Sequence, residues 1–230
     1  SAIAQATYNN LGTATNIAAF HADPRFADVN GQGYSVVVID TGIDLNHPYF
    51  GPDNNNDGVA DRIVYQYDFV ERDDNDASDG HGHGTHVAGI IGSSNTSYPG
   101  IAPDVNLIVL KALSDSGSGS QNDIRQAANW VVSNVDRYNI VAVNLSLGDS
   151  AFYTSPYSDY LASQFKALAN DGVVVVSASG NDYSGIQGVS YPSSDPYSLS
   201  VGAVWAGTGT LGSSQTGTTD AIAFFSQRDD

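Results

Sequence analysis

The chain contains no cysteine. That excludes a thiol nucleophile, a cysteine-built zinc site and any disulfide, and it suits an extracellular protein that must survive oxidation. Basic residues are scarce, 8 against 25 acidic, for a formal net charge of −17. Phosphate binding needs clustered Lys and Arg, so nucleic acid is not an expected partner. Glutamate is nearly absent: Glu71 is the only one, and every other acid is an aspartate. Long apolar runs are missing as well, so neither a membrane span nor a membrane partner is expected. The first residues, Ser1 to Gln5, carry no basic or apolar leader pattern, so any signal or pro-segment is expected to have been removed.

What is present is enough for one substantial core: 41% hydrophobic residues in 230, read as a single domain over 1–230. Aspartate favours turns, caps and calcium over helix interiors. Asp53, Asn55, Asp57, Gly58 and Asp61 follow the spacing of a calcium loop, although Val64 stands where the closing Glu belongs. A second acidic loop holds Asp73, Asp74, Asn75 and Asp76, with Asp79 just beyond. Structural Ca²⁺ is the sharper reading of these loops, and a solvated Asx-rich surface the blander one.

Continuous β-branched runs at 34–39 and 173–176, with 63–69, 107–110, 140–147 and 199–204, read as strands; such continuity marks parallel strands covered on both faces. Between them, Ser120 caps a helix with Ile124, Ala127, Ala128, Val131 and Val135 on one face, and a second helix is expected over 157–169. Strands alternating with helices give an α/β fold with a doubly wound parallel sheet.

Gly80 to Gly89 reads Gly-His-Gly-His-Gly-Thr-His-Val-Ala-Gly and holds three of the five histidines just before an apolar helical run. An imidazole there suits catalysis or a metal; zinc through His81 and His83 is the metal alternative. Asp40 ends a buried strand and is placed to orient an imidazole, while Asn181 follows another strand and offers an amide for developing oxyanion charge.

Taken together, Val37 to Asp44, His83 to Gly89, Asn144 to Gly148 and Ser179 to Asn181 resemble, in order, the signatures of the subtilases, the subtilisin-like serine proteases. The resemblance implies a three-layer αβα fold and a secreted bacterial serine endopeptidase acting on proteins and peptides. It implies Asp40 as triad aspartate, His83 as general base and Asn181 as oxyanion donor. Gly117, Ser118, Gly119, Ser146, Leu147 and Gly148 would be edges pairing with extended substrate; Ser146 to Gly148 and Ser177 to Gly180, including Ser179 and Gly180, would wall the first pocket, with Ser190 and Tyr191 near its base and Asp182 at its rim. His86 would be a packed structural residue, and His81 solvated. Calcium is common in the family, though not always at these loops; the spacing above gives Asp53, Asn55, Asp57, Asp61, Asp73 and Asp76 as candidate ligands here. The family's Gly-Thr-Ser-x-Ala nucleophile motif has no counterpart in these residues. The serine, and the helix that fills the middle of one sheet face, are therefore expected in a C-terminal remainder of the same catalytic domain, and the 230 residues alone are expected to be incomplete and inactive. A non-catalytic peptide-binding or scaffold module is the alternative.

Overall fold

The computed structural model describes residues 16–72, 75–204, 209–211, 215–217 and 221–228. In chain order its strands are β1 Ser35–Asp40, β2 Ile63–Asp68, β3 Ser94–Asn95, β4 Tyr98–Pro99, β5 Asn106–Lys111, β6 Ile140–Leu145, β7 Val174–Ala178, β8 Ser198–Val201, β9 Gly209–Leu211 and β10 Gln215–Gly217. Its α-helices are α1 Ile17–Ala22, α2 His83–Gly92, α3 Gln121–Val132, α4 Val135–Tyr138 and α5 Ala162–Asn170. Six strands form one sheet in the order β2-β5-β1-β6-β7-β8, and every pairing in it is parallel. Their carboxyl ends therefore share one edge, where Asp40, Lys111, Ser146 and Ser179 emerge.

Alternate residues along each strand divide the core in two. Val37, Ile39, Ile108, Leu110, Val143, Leu145 and Val175 face α3 and α5 and form the larger cluster. Val38, Leu107 and Val109 face Ala88 of α2 and form the smaller one. Helices thus lie on both faces, as in a three-layer αβα fold. The second face is covered unevenly. Leu199 pairs with Val176 and Val201 with Ala178. On that same face Val174 is 50% exposed, Leu199 57% and Val201 47%. Among the described residues no helix lies over this face of β7 and β8.

Helix α3 starts as its sequence dictates, with the Ser120 hydroxyl accepting the Asp123 N–H at 3.1 Å, and it buries Ile124, Ala127, Ala128 and Val131. Val135 belongs to the separate short α4 instead. Helix α5 begins at Ala162, five residues later than expected. The intervening chain is tied elsewhere: the Tyr157 N–H bonds the Ser194 carbonyl at 3.0 Å, and the Leu161 N–H bonds the Tyr191 hydroxyl at 2.9 Å. Strand β6 ends at Leu145, so Ser146 and Leu147 lie beyond the ladder.

Candidate active site

Asp40 is fully buried at the end of β1. Its Oδ1 accepts the Thr41 N–H at 2.7 Å and faces His83 Nδ1, also at 2.7 Å. His83 is the first residue of α2, with a side chain 43% exposed. One ring nitrogen is thus held by a buried carboxylate while the imidazole opens to the surface. The hydrogen bond to Asp40 raises the His83 pKa above its ordinary 6.5; burial opposes it, and the negative charges of Asp40 and Asp79 add to the rise.

The contact requires glycine on both sides. A Cβ on Gly84 would stand 2.1 Å from the Gly42 carbonyl oxygen and 3.2 Å from Asp40 Cβ. Gly42 itself has φ +108°, and its Cβ would meet the Ala77 carbonyl at 2.3 Å.

Asp79 organises the start of α2, where residue Gly82 supplies no side-chain cap. One carboxylate oxygen accepts the Thr41 hydroxyl at 2.9 Å and the N–H groups of His81 and Gly82 at 3.0 and 2.7 Å. The other accepts the Thr85 N–H and hydroxyl at 2.9 and 2.6 Å. Burial alone would raise its pKa, but the donors from Thr85, Gly82 and Thr41 outweigh burial and lower it to about 2. The Thr41 hydroxyl in turn accepts the Gly84 N–H at 3.0 Å. Sequence reasoning placed Asp79 in an acidic calcium loop; the structure places it as a helix cap. The signal that identifies it is an aspartate just ahead of a helix with Thr85 in the first turn.

A cleft of about 500 Å³ runs past His83, edged by Gly117 to Gly119 on one side and Ser146 to Gly148 on the other. Tyr191 lies in its wall. A Cβ on Gly148 would meet the Ser190 hydroxyl at 2.6 Å, so the two edges expected for substrate and the expected pocket base do lie together. Ser179, Gly180 and Asn181 do not line this cleft. Ser179 is buried, with its hydroxyl 3.4 Å from that of Ser226, and the Gly180 carbonyl accepts the Gln227 N–H at 3.0 Å. Asn181 is exposed past the end of β7, two strands from β1 on the same sheet edge, and Asp182 is exposed beside it.

His86 is exposed rather than packed. The buried line of α2 is Gly84, Ala88 and Gly92, and a residue two positions after Gly84 points away from it. His81 is exposed too, its ring 6.2 Å from that of His83 and close to Gly117.

The first acidic loop closes on itself. Asp53 accepts the N–H groups of Asp57 and Gly58 at 3.1 and 3.0 Å, Asp61 accepts that of Asn54 at 3.2 Å, and Asn55 accepts that of Asp57 at 3.2 Å. Asp57 is also held in this loop, accepting the Asn55 amide and the Val59 N–H at 2.9 Å each, and with Asp76, Asp44 and Asn75 it borders a shared depression. Asp73 lies outside the described residues. Among the described residues no three acidic or imidazole side chains converge as a metal-ligating group, which applies equally to zinc at His81 and His83.

A family model described as "Subtilase family" matches residues 31–229. Two curated relatives are similar: a subtilisin-like serine protease, AsES, of Sarocladium strictum, 40% identical over 77% of this chain and 41% of its own length, and subtilisin E of Bacillus subtilis strain 168, 36% identical over 76% of this chain and 43% of its own length. A solved structure of a cold-adapted subtilisin-like serine proteinase superposes with a TM-score of 0.64 at 32% identity, covering 86% of this chain and 60% of that one. The chain spans about two-fifths of the length of the curated relatives it matches.

Proposed function

The chain belongs to the subtilase family, and from that membership we propose that it carries the Asp–His part of a serine endopeptidase acting on proteins and peptides. The observation that carries the proposal is the 2.7 Å contact between His83 and the buried Asp40 at the mouth of the cleft. In this reading an extended peptide pairs with the 117–119 and 146–148 edges as added strands. A serine supplied from outside these 230 residues attacks the carbonyl. His83 Nε2 takes the serine proton and later gives it to the leaving amine. Asp40 holds the Nδ1–H and stabilises the imidazolium, and the Asn181 amide donates to the oxyanion.

The uncovered face over β7 and β8 supports the external serine, because its exposed Leu199 and Val201 offer an apolar seat beside the same sheet edge for a helix bearing the nucleophile. The 230 residues alone are then inactive. Secretion is part of the proposal; it agrees with the absence of cysteine and with the fact that no helix among the described residues is long and apolar enough to cross a membrane. We further propose Ca²⁺ as a stabilising ion at the depression between the two acidic loops, which Asp57 and Asp76 border together with Asp44 and Asn75.

A fluorophosphonate probe on the full-length protein tests the enzyme reading. A covalent serine adduct together with casein hydrolysis is expected. No adduct and no hydrolysis would refute it and leave a non-catalytic peptide-binding module.

A further inference from the structure

Lys111 ends β5 with its ammonium inside the protein, 6% exposed. A buried ammonium needs acceptors in place of its water. Lys111 has three, from three separate segments: the Thr41 carbonyl at 3.0 Å, the Ser78 carbonyl at 2.9 Å and the Asp115 carboxylate at 2.5 Å. That fills its donor capacity. Each segment belongs to the site. Thr41 follows Asp40, which lies beside Lys111 in the sheet register. Ser78 precedes Asp79, the cap of α2, and bridges to Ile43 of the Asp40 turn. Asp115 begins the turn that presents Gly117 to Gly119, and it also accepts the Gly80 N–H at 3.2 Å.

We propose that Lys111 is a positioning residue: its ammonium fixes the Asp40 turn, the loop leading to His83 and the 117–119 substrate edge in one register. It touches neither substrate nor the reacting atoms. The charged and titratable groups around His83 are Asp40 from β1 and Asp79 and His81 from the loop before α2; Lys111 and Asp115 act behind them. Opening the clamp loosens the Asp40–His83 contact, and the imidazole then loses part of what holds its proton.

The kinetic part of the test rests on the protease reading, and the titration part does not. Lys111→Met and Lys111→Arg are made in the full-length protein. For Lys111→Met, kcat/KM should fall about 10²-fold, as for a misplacement near 1 Å. The His83 titration, followed by proton NMR, should move down toward 6.5, and the acid limb of the rate profile should move with it. Lys111→Arg should recover part of both effects, because the charge stays while the planar fork fits three converging acceptors less well. A merely structural clamp would lower the melting temperature and leave the titration in place, and that result overturns the proposal. Should Lys111→Met fail to fold, Asp115→Asn alters the clamp at a side chain 64% exposed. A smaller shift in the same direction supports the proposal, and a parental His83 titration refutes it. A parent that hydrolyses nothing defeats the protease reading, while the titration still decides on Lys111.

Discussion

Alanine normally replaces glycine inside a helix with a gain of about 1 kcal/mol. Helix α2 offers two glycines at which that rule should give opposite results. At Gly89 an added Cβ has nothing within 4 Å, so Gly89→Ala should raise stability by up to about that amount. At Gly84 the Cβ would sit 2.1 Å from the Gly42 oxygen, whereas ordinary contact begins near 3.4 Å, so the helix start and the Asp40 turn must separate by about 1.3 Å. Added along the 2.7 Å contact, that displacement leaves His83 Nδ1 about 4 Å from Asp40, beyond hydrogen-bond reach. A shift of this size corresponds to a loss of about 10²-fold in kcat/KM. The assay is peptide hydrolysis by the full-length protein, with melting temperature and the His83 titration recorded on the same samples. Gly84→Ala should lose activity and lower the imidazole pKa, and Gly89→Ala should do neither. A Gly84→Ala protein with parental rate and titration would show that the close approach does not hold the pair, and the reasoning would fail.

Asp40→Asn should cost about 10⁴-fold in kcat, by analogy with loss of a triad carboxylate, and should move the acid limb of the rate profile to lower pH because the group raising the His83 pKa is gone; an unmoved limb would count against the assignment. Asn181→Ala should lower kcat by about 10²–10³-fold, the effect known for subtilisin's own oxyanion amide, with little change in KM; an unchanged kcat would remove Asn181 from the chemistry. Asp79 has a folded pKa of about 2 against an ordinary 3.8. Its contribution to stability is therefore present above about pH 4 and is lost as pH falls through 2. In urea unfolding, the deficit of Asp79→Ala should be full at pH 7 and shrink toward pH 2, and a deficit independent of pH would refute the cap. Chelation with EDTA should lower the melting temperature and added calcium should restore it; an unchanged melting temperature would count against a stabilising ion.

The strands and the Asp40–His83 pair were legible because the signal is local: a continuous β-branched run ending in a charge, and a glycine-flanked histidine before a helix. The doubly wound parallel sheet followed from the alternation of strands and helices, and the three layers from the resemblance to the subtilases. Asp79 was not legible, since an aspartate in a polar loop suits calcium or a cap equally. The choice depends on Thr41, a donor from a strand end 38 residues upstream. Lys111 was invisible for the same reason, because its three acceptors converge only in the folded chain. The start of α5 differs from its periodicity because Tyr157 and Leu161 are held by the 191–194 segment, a tertiary contact that no helical periodicity records. The resemblance implies a packed His86, and the narrow buried line of α2 leaves it outside.

Among the described residues β8 stands at one margin of the sheet, with Leu199 and Val201 bare on one face. Such a margin is adhesive toward another copy of itself. What keeps copies apart is their like charge, −17 on each chain. That repulsion reaches about 10 Å in 0.1 M salt and about 3 Å in 1 M salt. Colloidal behaviour therefore follows ionic strength: dilute buffer keeps the chains dispersed, and concentrated salt brings their bare margins within contact range.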